Sequence, residues 1–176
     1  MHGVEWEQWK DIPADELLNT LRKSYGFKAI GQASYADALW AQEGCGLYLF
    51  HDKEWQPWYL GKVASRSFLE RISGHMDTHV HKGGGHTGWF NTFHQRWSEY
   101  LGQEDEVAKC SYLACAGLMI LRMPTGKKAE IARAEKYLMH VLSPKLNRKT
   151  QITKRSKFAP LLEHGSSASC ELITSF

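Results

Sequence analysis

No run of apolar residues in this 176-residue chain approaches the length needed to cross a bilayer, so no membrane span is expected. Its four cysteines, Cys45, Cys110, Cys115 and Cys170, form no CxxC pair. That argues against a disulfide framework or a cysteine-built zinc site and leaves reduced, partly buried thiols as the expectation. The opening MHGVEWEQWKD has neither the basic start nor the apolar centre of a secretory signal, and a cytoplasmic, intracellular location follows as the default. No internal repeat is visible, and the length suits one domain with a real core better than two. Acids are missing too from the stretch between Lys145 and Lys157, which holds six basic residues.

That run is part of an uneven charge distribution. Residues 1–43 hold seven acids against four Lys/Arg, a balance of −3, so with a net charge of +3 residues 44–176 carry +6. A basic run is either a solvated face or a phosphate-binding surface, since Lys and Arg at a polyanion release counterions.

What is present begins with GLYLFHDKEWQPWYLGK, from Gly46 to Lys62. Strand periodicity puts Leu47 and Leu49 on one face and Tyr48 on the other. The same alternation pairs Trp58 with Leu60, and Tyr59 with Gly61. Joined as a hairpin across the polar HDKEWQP loop, the two runs bury a Leu/Trp/Leu face and bring both phenols together on the second face. Tyrosine in strands needs no function, yet two phenols beside two glycines can form a site.

The remaining elements follow from periodicity and caps. Residues 13–25 read as a helix with Leu17, Leu18, Leu21 and Tyr25 in a stripe and Gly26 as its stop. Ser67-Phe68-Leu69-Glu70 is a capping box opening a helix lined by Leu69, Ile72 and Met76, with Arg71 and His75 projecting together on another face. Residues 77–88 read as a glycine-rich loop and 89–101 as a helix. Residues 116–123 are a buried strand stopped by Pro124, and 127–142 a helix stopped before Pro144. Of the seven tryptophans, Trp55 at the hairpin tip is the one to expect as a base-stacking platform; the others suit packing. Glu135 falls within the stripe of Ile131, Ala134, Leu138, Val141 and Leu142, and a buried acid needs an arginine, a lysine or a metal ion as partner. A structural salt bridge is the plain alternative there.

In this order the elements resemble the GIY-YIG nuclease family. Gly46-Leu47-Tyr48 stands for the first motif and Tyr59-Leu60-Gly61, followed by Lys62, for the second. Arg71 matches the helix arginine, His75 the residue one turn on, Glu135 the metal-binding glutamate, and Asn147 the asparagine that ends the module. The resemblance covers residues 44–147, with a loop and helix elaboration at about 77–109. The step from Lys62 to Arg71 is longer than the commonest family spacing, which makes Arg66 a rival for the arginine role.

The resemblance implies an α+β fold, a small three-stranded antiparallel sheet flanked by helices; outside its reach, residues 1–43 read as a helical extension and 148–176 as a basic, partly disordered tail. It implies a DNA endonuclease using one Mg²⁺ or Mn²⁺ held by Glu135, with Tyr48, Tyr59, Lys62, Arg71 and His75 as catalytic residues. Arg66, Asn147, Arg148, Lys149, Lys154 and Arg155 are then the expected DNA contacts. Tyr48 is the favoured base and His75 its rival, because a free phenol ionises only near pH 10 while imidazole titrates close to neutrality. A binding module on the same fold that does not cut is the alternative. The cluster His75, His79, His81 and His86 raises a third reading, a zinc-stabilised interaction protein. The expected partner is double-stranded DNA, met by a monomer or weak homodimer that pairs on it.

Overall fold

The computed structural model describes residues 1–76, 102, 113–124 and 128–147. The loop and helix expected at 77–101, His79, His81, His86, and the basic tail with Arg148, Lys149, Lys154 and Arg155 lie outside the described residues.

Among the described residues four strands form one sheet: β1 (His2–Val4), β2 (Cys45–His51), β3 (Pro57–Val63) and β4 (Gly117–Met123). Their order is β1-β4-β2-β3, with β2 antiparallel to both β3 and β4 and β1 parallel to β4. The class is α+β, but the sheet is mixed and four-stranded where three antiparallel strands were expected. The added strand is only His2-Gly3-Val4, too short to produce an alternating pattern, and it covers the edge that β4 would otherwise leave unpaired.

Helices lie on both faces. On the leucine face, Leu47, Leu49, Leu60, Met119 and Leu121 pack with Trp9 of α1 (Trp6–Trp9), Leu17 and Leu21 of α2 (Leu17–Tyr25), and Ile131, Ala134 and Leu138 of α5 (Lys128–Leu142). Burying Ile131 or Leu138 contributes about 1.5–3 kcal/mol each. The second face carries Tyr48, Phe50, Val63, Leu118 and Ile120 against Phe68 and Ile72 of α4 (Phe68–Met76), with Trp40 of α3 (Tyr35–Trp40) partly buried beside them. Residues 1–43 therefore share the core of the rest of the chain. The helix expected from residue 13 begins at Leu17, since residues 14–16 form a turn, and it ends at Gly26 with φ +65°.

The hairpin departs from expectation at its tip. Trp55 is buried, stacked on His51 at 4.3 Å between ring centroids, and so is no base-stacking platform. Its φ of +66° is the left-handed conformation that usually calls for glycine after a tight turn. Tryptophan occupies it because the indole lands in the leucine-face core. Trp58, expected beside Leu60, packs instead against the second cluster, where the register slips between Phe50 and His51.

Strand β3 is the sheet's other edge, and residues after α5 close part of it. Leu60 pairs opposite Leu49, and its N–H and C=O both point outward, where the Asn147 side chain meets them. The Leu60 amide donates to Asn147 Oδ1 at 2.7 Å, and Asn147 Nδ2 donates to the Leu60 carbonyl at 2.8 Å. Leu146 adds a backbone bond to the Trp58 carbonyl at 2.7 Å. Asn147, expected as a DNA contact, is thus a strand-edge clamp. Asn147→Ala leaves two part-buried backbone groups unmet and should lower stability by about 1–3 kcal/mol in urea unfolding. A variant as stable as the parent would show that water replaces the clamp at no cost.

His51 is fully buried, with Nδ1 at 2.8 Å from the Asp52 carbonyl. Its Nε2 is buried without a partner, so protonation there would place a bare charged N–H in the core. Burial lowers its pKa from 6.5 to about 4. The unfolded chain then takes up a proton that the folded one refuses. Stability is fully present above pH 6.5 and falls as the pH drops towards 4, by about 3 kcal/mol for 2.5 units. Urea unfolding at pH 7 and pH 4.5 should show that slope in the wild type and a shallower one in His51→Gln.

Candidate active site

The two glycines of the hairpin motifs are there for close approach. At Gly46, φ is +143° and a Cβ would lie 2.1 Å from the Leu121 carbonyl oxygen of the neighbouring strand. At Gly61, a Cβ would lie 2.3 Å from the Tyr48 ring and hydroxyl, because Tyr48 pairs directly opposite and lays its phenol across the glycine. Tyr48 is fully buried in that position.

Around the phenol stand three of the residues expected from the sequence. Tyr48 Oη lies 2.7 Å from His75 Nε2. The Tyr59 ring is 6.0 Å from that of Tyr48 and 5.3 Å from that of His75, and Tyr59 and Arg71 both lie close enough to the Tyr48 hydroxyl to act on its ionisation. Burial pushes the Tyr48 phenol well above its usual pKa; Tyr59 adds to the rise and Arg71 opposes it. Tyr48 is a neutral phenol at neutral pH.

Helix α4 delivers Arg71 and His75, and its start is set by Ser67, whose Oγ accepts from the Glu70 amide at 3.0 Å. The helix is rotated from the expected setting. Among its described side chains Phe68, Ile72 and His75 are buried, at i, i+4 and i+7, so His75 sits inside the core rather than on an outward cationic face. Phe68 was absent from the expected stripe because it lies inside the capping box. Arg66, the rival expected from the sequence, stands apart from this group and pairs with Glu70 at 3.1 Å on the exposed surface.

Lys62 and Glu135 form a separate group. Lys62 Nζ is 2.6 Å from Glu135 Oε2, with side chains 34% and 15% exposed. Register pairs Lys62 with Leu47, so it starts from the leucine face, while Tyr48 and Gly61 belong to the other. Glu135 lies at the margin of the face through which α5 buries Ile131, Ala134 and Leu138. The candidate residues are therefore divided between the two faces of edge strand β3. Among the described residues no group of three or more His, Cys, Asp or Glu gathers as a ready metal site. Glu135 nonetheless suits a hard divalent ion: it is a little-exposed carboxylate that already holds a cation.

Comparison with family models, curated proteins and solved structures gave no match. Sequence reasoning missed the clamp role of Asn147 and the burial of His51. The pairing of Lys62 with Glu135 was visible only as the need for some cation at a buried acid.

Gly61→Ala tests the close approach. The methyl must displace a buried phenol, so the variant should lose about 1–3 kcal/mol in chemical denaturation. Unchanged stability would mean that Tyr48 does not lie across this glycine.

Proposed function

We propose that the chain is a metal-dependent DNA endonuclease of the GIY-YIG kind, hydrolysing phosphodiester bonds. The observation that carries this reading is the buried Tyr48–His75 hydrogen bond with Arg71 and Tyr59 against the same hydroxyl. Four polar groups converging on one point on a hairpin exceed what strand packing requires. No helix among the described residues is long and apolar enough to cross a membrane.

In this reading the proton path runs inward. Tyr59 is half-buried while Tyr48 is sealed, so Tyr59 meets the attacking water. The water's proton goes to the Tyr59 oxygen as Tyr59 passes its own to Tyr48 and Tyr48 passes its own to His75 Nε2. This requires the His75 tautomer protonated at Nδ1. The relay avoids a free phenolate, which burial disfavours at Tyr48. It also makes His75 the terminal base and leaves Tyr48 as a conductor. Arg71 sets its charge beside the oxygens, where negative charge builds during displacement. Glu135 would hold the divalent ion, which supplies Lewis-acid polarisation of the scissile phosphate. The basic residues of the tail, with Arg66, would follow the DNA backbone. One set of such groups acts on one strand at a time, so a monomer nicks, and two copies on DNA are needed for a double-strand cut.

A second reading has an observation of its own. Glu135 is already neutralised by Lys62, as it would be in a DNA-binding module that does not cut. Plasmid nicking in Mg²⁺ separates the two. The wild type should convert supercoiled to nicked DNA, and Glu135→Gln should lose cleavage by about 10²-fold or more while retaining DNA binding. Wild-type protein that binds DNA without nicking it in Mg²⁺ or Mn²⁺ selects the second reading.

A further inference from the structure

We infer that Lys62 is an exchangeable counterion. In the metal-free protein its ammonium occupies the cation position at Glu135, and it transfers to a phosphate of the DNA backbone when a divalent ion takes the carboxylate. This rests on the reading of Glu135 as the metal ligand.

Three features of the pair carry the inference. First, the contact is short and charge-assisted, 2.6 Å from Nζ to Oε2, so the ammonium occupies space next to the oxygen that a divalent ion must reach. A cation of charge two and the ammonium cannot share that oxygen without strong repulsion. Second, the two partners differ in freedom. The carboxylate is 15% exposed and fixed on a 15-residue helix packed into the core, whereas the lysine is 34% exposed. Lysine is a point charge on a flexible four-carbon stem with three donors, able to change partner without a required fork geometry. Third, the lysine stands on an edge strand. The Asn147 clamp and its neighbours bond β3 as far as Leu60, and Lys62 lies two residues beyond that bond. An ammonium leaving Glu135 from there can reach a backbone laid along the edge.

A permanent structural bridge would explain the distance alone. The two differ in what removing the lysine does. If the bridge is permanent scaffolding, Lys62→Met leaves a partly buried carboxylate in a disturbed site and metal binding does not improve. If the lysine is a competitor, its removal frees the ligand. Exchange also couples the ligands reciprocally: metal at Glu135 raises the protein's hold on phosphate, and phosphate raises its hold on metal.

The test uses the full chain and Mn²⁺ as probe, with binding read by electron paramagnetic resonance in the absence of DNA. Lys62→Met should bind Mn²⁺ more tightly than the wild type by roughly 5-fold or more. Lys62→Gln should behave alike, which guards against a folding defect in one variant. Glu135→Gln should lose binding. The phosphate half is read from the slope of DNA affinity against salt. In EDTA the wild type and Lys62→Met should share one slope, because the ammonium is held by Glu135. With Ca²⁺ present the wild-type slope should be the steeper by about 0.9, one phosphate contact. Loss of Mn²⁺ binding in Glu135→Gln together with no tightening in either Lys62 variant overturns the exchange and leaves the ligand assignment standing. Retained Mn²⁺ binding in Glu135→Gln overturns both.

Discussion

Strand β2 runs between β3 and β4 with helices over both its faces, so all seven of its residues, Cys45–His51, are buried. Alternation along such a strand cannot separate core from solvent; it separates one core from another. Leu47 and Leu49 go to the face closed by α1, α2 and α5, and Tyr48 and Phe50 to the face closed by α4. A tyrosine placed there has no water for its hydroxyl and must find polar partners within the fold. His75 from α4 supplies the hydrogen bond, with Arg71 of the same helix and Tyr59 of β3 close by. The polar cluster, the rotation of α4 that buries His75, and the glycine opposite Tyr48 are all consequences of running a phenol through a doubly covered strand.

The hairpin, the strand before Pro124 and the last helix were legible from the chain because each has a period, a stop signal and enough length to show both. The sheet's fourth strand was not, since three residues carry no period and pairing with β4 is decided by tertiary contact. The face of α4 was read only in part. Ile72 is buried and Leu69 packs against the same cluster, but the buried face also takes in Phe68 and His75, a setting in which a polar residue is buried beside a buried phenol. Hydrophobic patterning cannot anticipate a polar side chain whose partner is also buried. Trp55 shows the converse. An aromatic residue at a loop tip suggests exposure, whereas its left-handed backbone turns the indole back into the core.

For the site, residue types were legible and their grouping was not. Sequence order put Lys62 next to Gly61 and so beside the phenols. Pleating puts its side chain on the opposite face, where α5 presents Glu135. A buried acid announced its need for a cation, but only the packing of α5 across β3 identifies the lysine that meets it. Asn147 was read as the residue that ends the module and as a DNA contact; its side chain holds both hydrogen-bond types, as an unpaired strand residue requires.

The division of the candidate groups between two faces constrains any chemistry they perform together. A substrate cannot pass through the sheet, so the cluster at Tyr48 and the pair at Glu135 can act on one phosphate only around an edge. Strand β3 supplies that edge: it is terminal in the sheet and carries Tyr59 and Lys62 within four residues. The polar groups nearest that edge are also the less buried ones, with Tyr59 and Lys62 partly exposed while Tyr48 and His75 are sealed behind them. Under the proposed function, such an arrangement suits an extended, highly charged ligand better than a small molecule. A duplex backbone presents phosphates along a line, whereas a compact ligand would need a concave pocket that gathers the same groups on one side.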